Sequence, residues 1–271
     1  DSISSKMITL KLDGKDISVP EGTTIWEASK EQGVLIPHLC HKAETGYRSD
    51  GNCRACMVEI EGERVLAASC VRSVQNGMVV KTASERAIKS RALVVELLAA
   101  DQPEISHDVS SHFNLMSLMN GVNESRFPPR EACHVPLLDD SHVAMSVNLD
   151  ACIHCNLCVR ACREVQVNDV IGMAGRGHQS QIVFDMADPM GQSSCVACGE
   201  CVQACPTGAL MPASVLDEKQ AGDSQDYDRE VKSVCPYCGV GCQLSFKIKD
   251  DKIKYVEGIN GPANENRPVS Y

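Results

Sequence analysis

Hydrophobic and polar positions alternate at the start of the chain and predict a β-hairpin. The alternation runs through residues 7–12 and again through residues 15–19, with Asp13 and Gly14 between the two segments. An Asp-Gly pair between alternating segments is typical of a tight hairpin turn. We therefore expect two antiparallel strands joined at Asp13 and Gly14.

Two helices are predicted after the hairpin. Residues 24–30 favour a short helix that ends at Gly33, and Trp26 within it is expected to lie in a hydrophobic core. A second helix is predicted over residues 84–99, opened by a capping box of Thr82 and Glu85. Its apolar stripe should consist of Ile88, Ala92, Val95 and Ala99.

Composition and charge exclude several classes of protein. Hydrophobic residues make up 43% of the 271, which is enough for real cores, but aromatic residues make up only 4%. The net charge of -10 argues against a nucleic-acid partner, which would require clustered Lys and Arg. Residues 1–20 contain no apolar run of signal-peptide length, and Glu96 interrupts the apolar stretch 92–100. We therefore expect a cytoplasmic protein with no membrane partner.

Cysteine is the residue type that points to chemistry, because the chain has sixteen of them. Most lie in close Cys-x-x-Cys pairs, which suit a shared metal centre better than long-range disulfides. Fifteen fall into four arrays, and Cys133 is left over as a small buried hydrophobic residue. These arrays are the predicted metal ligands, and no catalytic residue is predicted in this stretch of chain.

The first array consists of Cys40, Cys53, Cys56 and Cys70. Four soft, anionic thiolates can complete an iron–sulfur centre, although Cys-x-x-Cys alone also fits a structural zinc site. The segment 51–59, Gly-Asn-Cys-Arg-Ala-Cys-Met-Val-Glu, resembles the ligand loop of plant-type ferredoxins in large redox enzymes, which implies a [2Fe–2S] cluster. His38 and His41 flank Cys40, and one of them could replace a thiolate as in Rieske centres. With four cysteines available, we expect both histidines to lie on the surface.

The second and third arrays repeat one spacing. Each follows the pattern C-x2-C-x2-C-x3-C, first in Cys152, Cys155, Cys158 and Cys162, then in Cys195, Cys198, Cys201 and Cys205. This is the signature of bacterial two-cluster ferredoxins, in which the fourth cysteine of each run binds the other cluster. We therefore predict that Cys205 completes the first [4Fe–4S] cluster and Cys162 completes the second.

The fourth array is incomplete. Cys235, Cys238 and Cys242 supply three thiolates within Cys-Pro-Tyr-Cys-Gly-Val-Gly-Cys. The tail, with Val-Glu-Gly at 256–258 and Asn-Glu-Asn-Arg at 264–267, resembles the opening of the molybdopterin oxidoreductases. That resemblance implies a further [4Fe–4S] cluster, provided that a fourth ligand is supplied from elsewhere.

The order of the arrays resembles the amino-terminal iron–sulfur portion of the catalytic subunit of molybdenum- or tungsten-containing, NAD-dependent formate dehydrogenases. The resemblance implies an α+β chain of four parts. These are a β-grasp [2Fe–2S] ferredoxin domain at 1–80, a helical spacer at 81–145, a two-[4Fe–4S] ferredoxin domain at 146–216 and the start of a molybdopterin-oxidoreductase [4Fe–4S] domain at 230–271. Residues 217–229 are interpreted as a linker.

The same resemblance implies an electron-transfer role within an oxidoreductase. Electrons would pass between a Mo- or W-bis-pterin guanine dinucleotide, held in the continuation of the chain or in a partner, and a flavin- and NAD-binding partner subunit. The alternatives are the iron–sulfur arm of an iron-only hydrogenase or NADH dehydrogenase, and a stand-alone electron carrier. The family also carries a cluster bound by one His and three Cys after the first array. Residues 71–132 contain no cysteine, and Gln102 stands where the ligand histidine would lie, so we expect that cluster to be absent.

Overall fold

The computed structural model describes residues 6–44, 46–131, 135–216, 226–237 and 239–259. The chain divides into two compact units. The first comprises residues 1–102 and 112–130, and the second comprises residues 103–111 and 131–271.

The first unit is built on a mixed sheet of five strands. Its strands are β1 (Met7–Leu12), β2 (Lys15–Pro20), β3 (Met57–Ile60), β4 (Ala67–Ala68) and β5 (Val79–Lys81). Their order across the sheet is β2-β1-β5-β3-β4, and β1 pairs with β5 in parallel while the other pairs are antiparallel. A helix, α1 (Ile25–Glu31), lies between β2 and β3 in the chain. This is the predicted β-grasp arrangement.

The predicted hairpin is confirmed. Strands β1 and β2 pair from Met7 opposite Pro20 to Leu12 opposite Lys15. Asp13 and Gly14 both have positive φ, at 46° and 87°, which the right-handed twist of a two-residue hairpin requires. Alternate side chains of the two strands point into one core, as the period of two predicts.

The core of this unit forms between the sheet and α1. Trp26 is 5% exposed, and its indole N–H donates to the carbonyl of Ile36 at 3.2 Å, which confirms its predicted place in the core. The helix begins with a capping box in which Thr24 accepts from the N–H of Glu27 and the Glu27 carboxylate accepts from the N–H of Thr24. This capping fixes the point at which α1 begins after strand β2.

The second helix, α2 (Glu85–Ala99), lies where it was predicted, but two details of the prediction were wrong. Ser84 caps the helix, whereas the Thr82 hydroxyl donates to the Asp13 carboxylate at 2.6 Å. The predicted apolar stripe is only partly buried, because Val95 is buried but Ile88 is 46% exposed, and Arg91 is buried as well. The Arg91 guanidinium donates to the carbonyls of Met57 and Thr82, at 3.1 and 2.7 Å, and so joins the helix to the sheet.

A further helix was not predicted. Within the predicted spacer at 81–145 lies α3 (His112–Met119), for which no range was predicted and whose buried side chains are Phe113 and Met116. The His112 imidazole Nε2–H donates to the carbonyl of His38 at 2.6 Å. The helix therefore contacts the segment that leads to Cys40.

Around the two cysteine runs, the second unit forms two small antiparallel strand pairs and two short helices. The strands are β6 (Met145–Val147), β7 (Ile171–Ala174), β8 (Gln181–Phe184) and β9 (Leu210–Pro212), and the helices are α4 (Leu157–Arg160) and α5 (Glu200–Ala204). Strand β6 pairs with β9, and β7 with β8. The first pair joins the two ends of the cysteine-rich segment, so both cysteine runs lie within one closed domain.

The last described segment forms a three-stranded meander. Strands β10 (Arg229–Val234), β11 (Gln243–Lys249) and β12 (Lys252–Gly258) pair antiparallel in that order. The β10–β11 connection contains the fourth cysteine array. In the part of the chain that the structure describes, no helix is long and apolar enough to cross a membrane.

Candidate iron–sulfur centres

The first cysteine array is assembled by the loops of the five-stranded sheet. Cys40 follows α1, Cys53 and Cys56 precede β3, and Cys70 follows β4. Cys40, Cys56 and Cys70 are at most 1% exposed, while Cys53 is half-buried. The fold therefore brings together cysteines that are distant in sequence.

The four thiols form a chain of contacts, in which Cys40 touches Cys53 and Cys70, and Cys70 also touches Cys56. Contacts with the thiols of Cys53 and Cys70 lower the pKa of Cys40, and contact with Cys70 lowers the pKa of Cys56 to about 7. The pKa values of Cys53 and Cys70 are raised by the same contacts and by burial. Four thiolates this close together repel one another and need a positive charge to replace that of their protons. Iron would supply this charge. The donor set therefore fits an iron–sulfur cluster.

The loop around Cys53 wraps closely about its sulfur. The backbone N–H groups of Cys40 and Ala55 donate to Cys53 Sγ at 3.4 and 3.5 Å. Arg54 has a φ of 60° and Gly51 a φ of 63°, so the chain turns sharply on both sides of the cysteine. Such N–H···S bonds stabilise a negatively charged cluster and raise its reduction potential.

We expect Gly51→Ala to destabilise the holoprotein by about 1–2 kcal/mol through left-handed strain alone. A further cost is expected because a Cβ at this position would lie 3.0 Å from Val71 Cγ2. Gly77 is the matched control, since its φ is 76° and a Cβ there would meet nothing within 4 Å. Thermal unfolding should show a larger loss for Gly51→Ala than for Gly77→Ala. Equal losses would mean that the Gly51 loop is not closely packed.

The histidines beside Cys40 are not on the surface, and that prediction was wrong. His41 is 9% exposed, and its ring lies 4.4 Å from the Trp26 ring and bonds through Nδ1 to Ser49 Oγ at 2.7 Å. Burial, together with the neighbouring His112, lowers the pKa of His38 to about 4. Both imidazoles therefore pack beside the first array. Because four thiols already converge there, the array does not need a histidine ligand.

The second and third arrays surround two separate cavities. One cavity is lined by Cys152, Cys155 and Cys158 of the first run together with Cys205 of the second. The other is lined by Cys195, Cys198 and Cys201 together with Cys162 of the first run. The structure therefore brings the fourth cysteine of each run to the other run's cavity. The thiols fit two [4Fe–4S] clusters with crossed ligands, and the ligand assignment stays a prediction.

The two runs also share backbone geometry. His154 and Ala197, which occupy matching positions, have φ values of 54° and 56°. Their N–H groups donate to the sulfurs of Cys152 and Cys195, each at 3.4 Å. This repetition places an N–H···S bond at the same point of each candidate cluster.

Burial dominates the electrostatics of these two sites. Desolvation raises the pKa of Cys158 well above its usual value, and it raises the pKa values of Cys201 and Cys195 in the same way. A buried thiol that resists ionisation alone is deprotonated when it coordinates a metal ion. Among the described residues, no three His, Cys, Asp or Glu side chains form a site for a single metal ion.

The fourth array is described only in part. The N–H of Cys235 donates to the carbonyl of Cys242 at 2.8 Å, which closes the loop between β10 and β11. Cys242 is 7% exposed and Cys235 is half-buried. Cys238 lies outside the described residues, as do Cys133 and the family-like segment 264–267.

Several polar contacts to the cysteines were missed by reasoning from the sequence. The Asn168 amide donates to Cys198 Sγ at 3.8 Å, the N–H of Val170 donates to Cys162 Sγ at 3.3 Å, and Thr207 Oγ1 lies 3.6 Å from Cys205 Sγ. His107 is bonded through Nε2 to the Asp150 carboxylate at 2.9 Å, shortly before the first run. No spacing rule marks these residues, because each contact depends on how the loops fold back.

Three family models match the chain in succession. They are a 2Fe-2S iron-sulfur cluster binding domain over residues 5–85, a 4Fe-4S dicluster domain over 151–209 and a molybdopterin oxidoreductase Fe4S4 domain over 228–267. The chain is an iron–sulfur electron-transfer region. The predicted fold class, with these domains in this order, is confirmed.

Proteins similar to this iron–sulfur region are oxidoreductases of several kinds. One component of an NADP-reducing hydrogenase from Solidesulfovibrio fructosivorans is 36% identical over 76% of the chain. One component of an NADH-quinone oxidoreductase from Rhizobium meliloti is 31% identical over 88% of the chain. A protein of Staphylococcus haemolyticus named "Putative formate dehydrogenase" is 26% identical over 95% of the chain.

The iron–sulfur region is shorter than these relatives. It spans 36%, 27% and 30% of their respective lengths. A crystal structure of an NAD+-reducing [NiFe]-hydrogenase is also similar, with a TM-score of 0.69 and 29% identity. That match covers 76% of this chain and 87% of the hydrogenase chain.

Proposed function

We propose that this chain is the electron-transfer portion of an NAD-dependent formate dehydrogenase. The observation that carries the proposal is the succession of domains, which ends in a molybdopterin oxidoreductase Fe4S4 domain over residues 228–267. In this proposal that domain connects the dicluster domain to a pterin-bound metal. The staphylococcal relative, whose name includes formate dehydrogenase, matches 95% of the chain.

In this proposal each cysteine array has a place in one path. A molybdenum or tungsten pterin centre outside these residues would supply the oxidation of formate to carbon dioxide, with release of two electrons and one proton. The Cys235 array, the two ferredoxin runs and the Cys40 array would hold the clusters that carry these electrons one at a time. A flavin- and NAD-binding partner subunit receives them. Plant-type [2Fe–2S] centres have potentials of about −400 mV, which suit a low-potential couple.

The ligands proposed for these centres are the fifteen cysteines of the four arrays. The first, second and third arrays supply the complete sets described above. Cys235, Cys238 and Cys242 supply three ligands of the last cluster, which forms if a fourth ligand is supplied. The hydrogen bonds to Cys53, Cys152, Cys162 and Cys195 adjust the individual potentials.

A hydrogenase arm is the second candidate. It is favoured by the 36% identity to the hydrogenase component and by the similarity to the [NiFe]-hydrogenase structure. Both of those matches cover 76% of the chain, whereas the staphylococcal relative matches 95%. The wider match favours formate dehydrogenase.

Purification of the intact enzyme that contains this chain tests the proposal. We expect about 10 irons from the three complete sets and about 14 with the fourth cluster, together with equivalent acid-labile sulfide. Molybdenum or tungsten with pterin should be present, and formate should reduce NAD. Hydrogen-dependent reduction of NAD without pterin would favour the second candidate. Stoichiometric zinc with little iron would overturn both.

A further inference from the structure

The two ferredoxin runs are nearly identical in pattern but differ in buried charge. Aligned by their cysteines, both runs read C-x-x-C-x-x-C-V-x-A-C. Arg160 of the first run corresponds to Gln203 of the second, and Leu157 corresponds to Glu200. The first run therefore carries a cation where the second has an amide, and the second carries an anion where the first has a leucine.

Both charged side chains are buried. Arg160 is 2% exposed and is among the largest fully buried side chains of the described chain. Glu200 is 7% exposed and lies between the ligands Cys198 and Cys201. Charges in such positions are only weakly screened by solvent, so they act on neighbouring groups more strongly than surface charges do.

The Arg160 guanidinium donates to the backbone of the loop that carries ligands of the first candidate cluster. Its Nη2 donates to the carbonyl of Cys155 at 3.3 Å, and its Nε donates to the carbonyl of Asn156 at 3.4 Å. Asn156 is in the left-handed conformation, with a φ of 63°, so the loop turns its carbonyl back toward the helix that carries Arg160. Because guanidinium stays protonated in proteins, this is a permanent positive charge beside a ligand of that cluster.

We infer that Arg160 and Glu200 set unequal potentials at the two cubanes, so that the cluster of Cys152, Cys155, Cys158 and Cys205 is the easier to reduce. Reduction adds one negative charge to a cubane, which a nearby buried cation favours and a nearby buried anion opposes. When the pair of cubanes holds one electron, that electron therefore resides on the cubane beside Arg160. The inference rests on the proposed electron-transfer function and adds to it which of the two cubanes is the easier to reduce.

The test is a redox titration of the intact enzyme, monitored by electron paramagnetic resonance, with Arg160→Gln. This variant places in the first run the residue that the second run already has. We expect the potential of the first cubane to become more negative, with the second cubane moving less. Cys152→Ser identifies which signal belongs to the first cubane, because it alters a ligand of that cluster alone.

Two controls separate charge from packing. Arg160→Lys keeps the charge and should leave the potential near the wild-type value. Arg163→Gln removes an equal charge from the exposed pair of Arg163 with Asp169, and it should shift neither cubane appreciably. A potential unchanged in Arg160→Gln with full iron content overturns the inference, while absence of cubanes in the wild-type enzyme overturns the proposed function instead.

Glu200→Gln provides a second test of the inference, which applies even if the Arg160 variants lose iron. Removing the buried anion should make the potential of the second cubane more positive. If both Arg160 variants lose iron equally and Glu200→Gln leaves both potentials unchanged, the two residues act only in folding and the inference is wrong.

Discussion

Cys162→Ser is expected to damage the cubane of the other cysteine run and to spare the cubane beside it in sequence. Cys162 lines the cavity of Cys195, Cys198 and Cys201, although it belongs to the run that begins at Cys152. A serine hydroxyl is a harder and weaker ligand for iron than a thiolate. The variant should therefore lose up to about four irons of about ten, all from the second cubane.

Three further serine variants provide the spectra with which Cys162→Ser is compared. The spectrum of Cys162→Ser should match that of Cys195→Ser and differ from that of Cys152→Ser. Cys205→Ser should show the reverse, because Cys205 lines the cavity of Cys152, Cys155 and Cys158. If Cys162→Ser matched Cys152→Ser instead, each run would hold its own cluster and the crossed assignment would be wrong.

The parts of this fold that could be predicted are those set by local chemistry. The hairpin followed from a period of two and an Asp-Gly turn, because positive φ at both central residues is a local requirement. The cluster loops followed from cysteine spacing, because a cubane of fixed size dictates how many residues separate its ligands. The resemblance to known iron–sulfur proteins supplied the domain order, which the family models confirm.

The errors arose where tertiary contacts override local pattern. Thr82 has the spacing of a capping residue, yet its hydroxyl donates to the carboxylate of Asp13, which is distant in sequence. Ser84 caps the helix instead. Arg91 was not expected inside, but two backbone carbonyls accept from its guanidinium there. His38 and His41 looked like surface residues because nothing in the sequence shows that Trp26 packs against both rings.

The buried charges beside the cubanes were missed for a related reason. Arg160 and Glu200 lie in variable positions between ligands, where the sequence pattern allows any residue. Only the closed fold shows that these two side chains are buried and that two carbonyls of the cluster loop accept from Arg160. Spacing therefore predicts which residues bind a cluster, whereas the tuning of its potential depends on the three-dimensional surroundings.

Cys70→Ser should remove the [2Fe–2S] centre and separate two activities of the intact enzyme. Cys70 is 1% exposed, and its thiol lies in contact with those of Cys40 and Cys56, so it occupies the middle of the first array. We expect loss of about two irons and of the [2Fe–2S] signal, while both cubane signals remain. In the proposed path this centre is the exit to the flavin partner. Formate-dependent reduction of NAD should therefore be abolished, while reduction of an artificial acceptor that takes electrons from the cubanes should continue.

Val71→Ser is the matched control, because it introduces the same side chain at the next position, where Val71 is 43% exposed. It should keep the iron content, the [2Fe–2S] signal and both activities. If Cys70→Ser lost the signal but kept full reduction of NAD, the first array would lie off the path of electrons. If it lost the cubane signals as well, the array would be required for folding of the whole region, and its place as the exit would have no support.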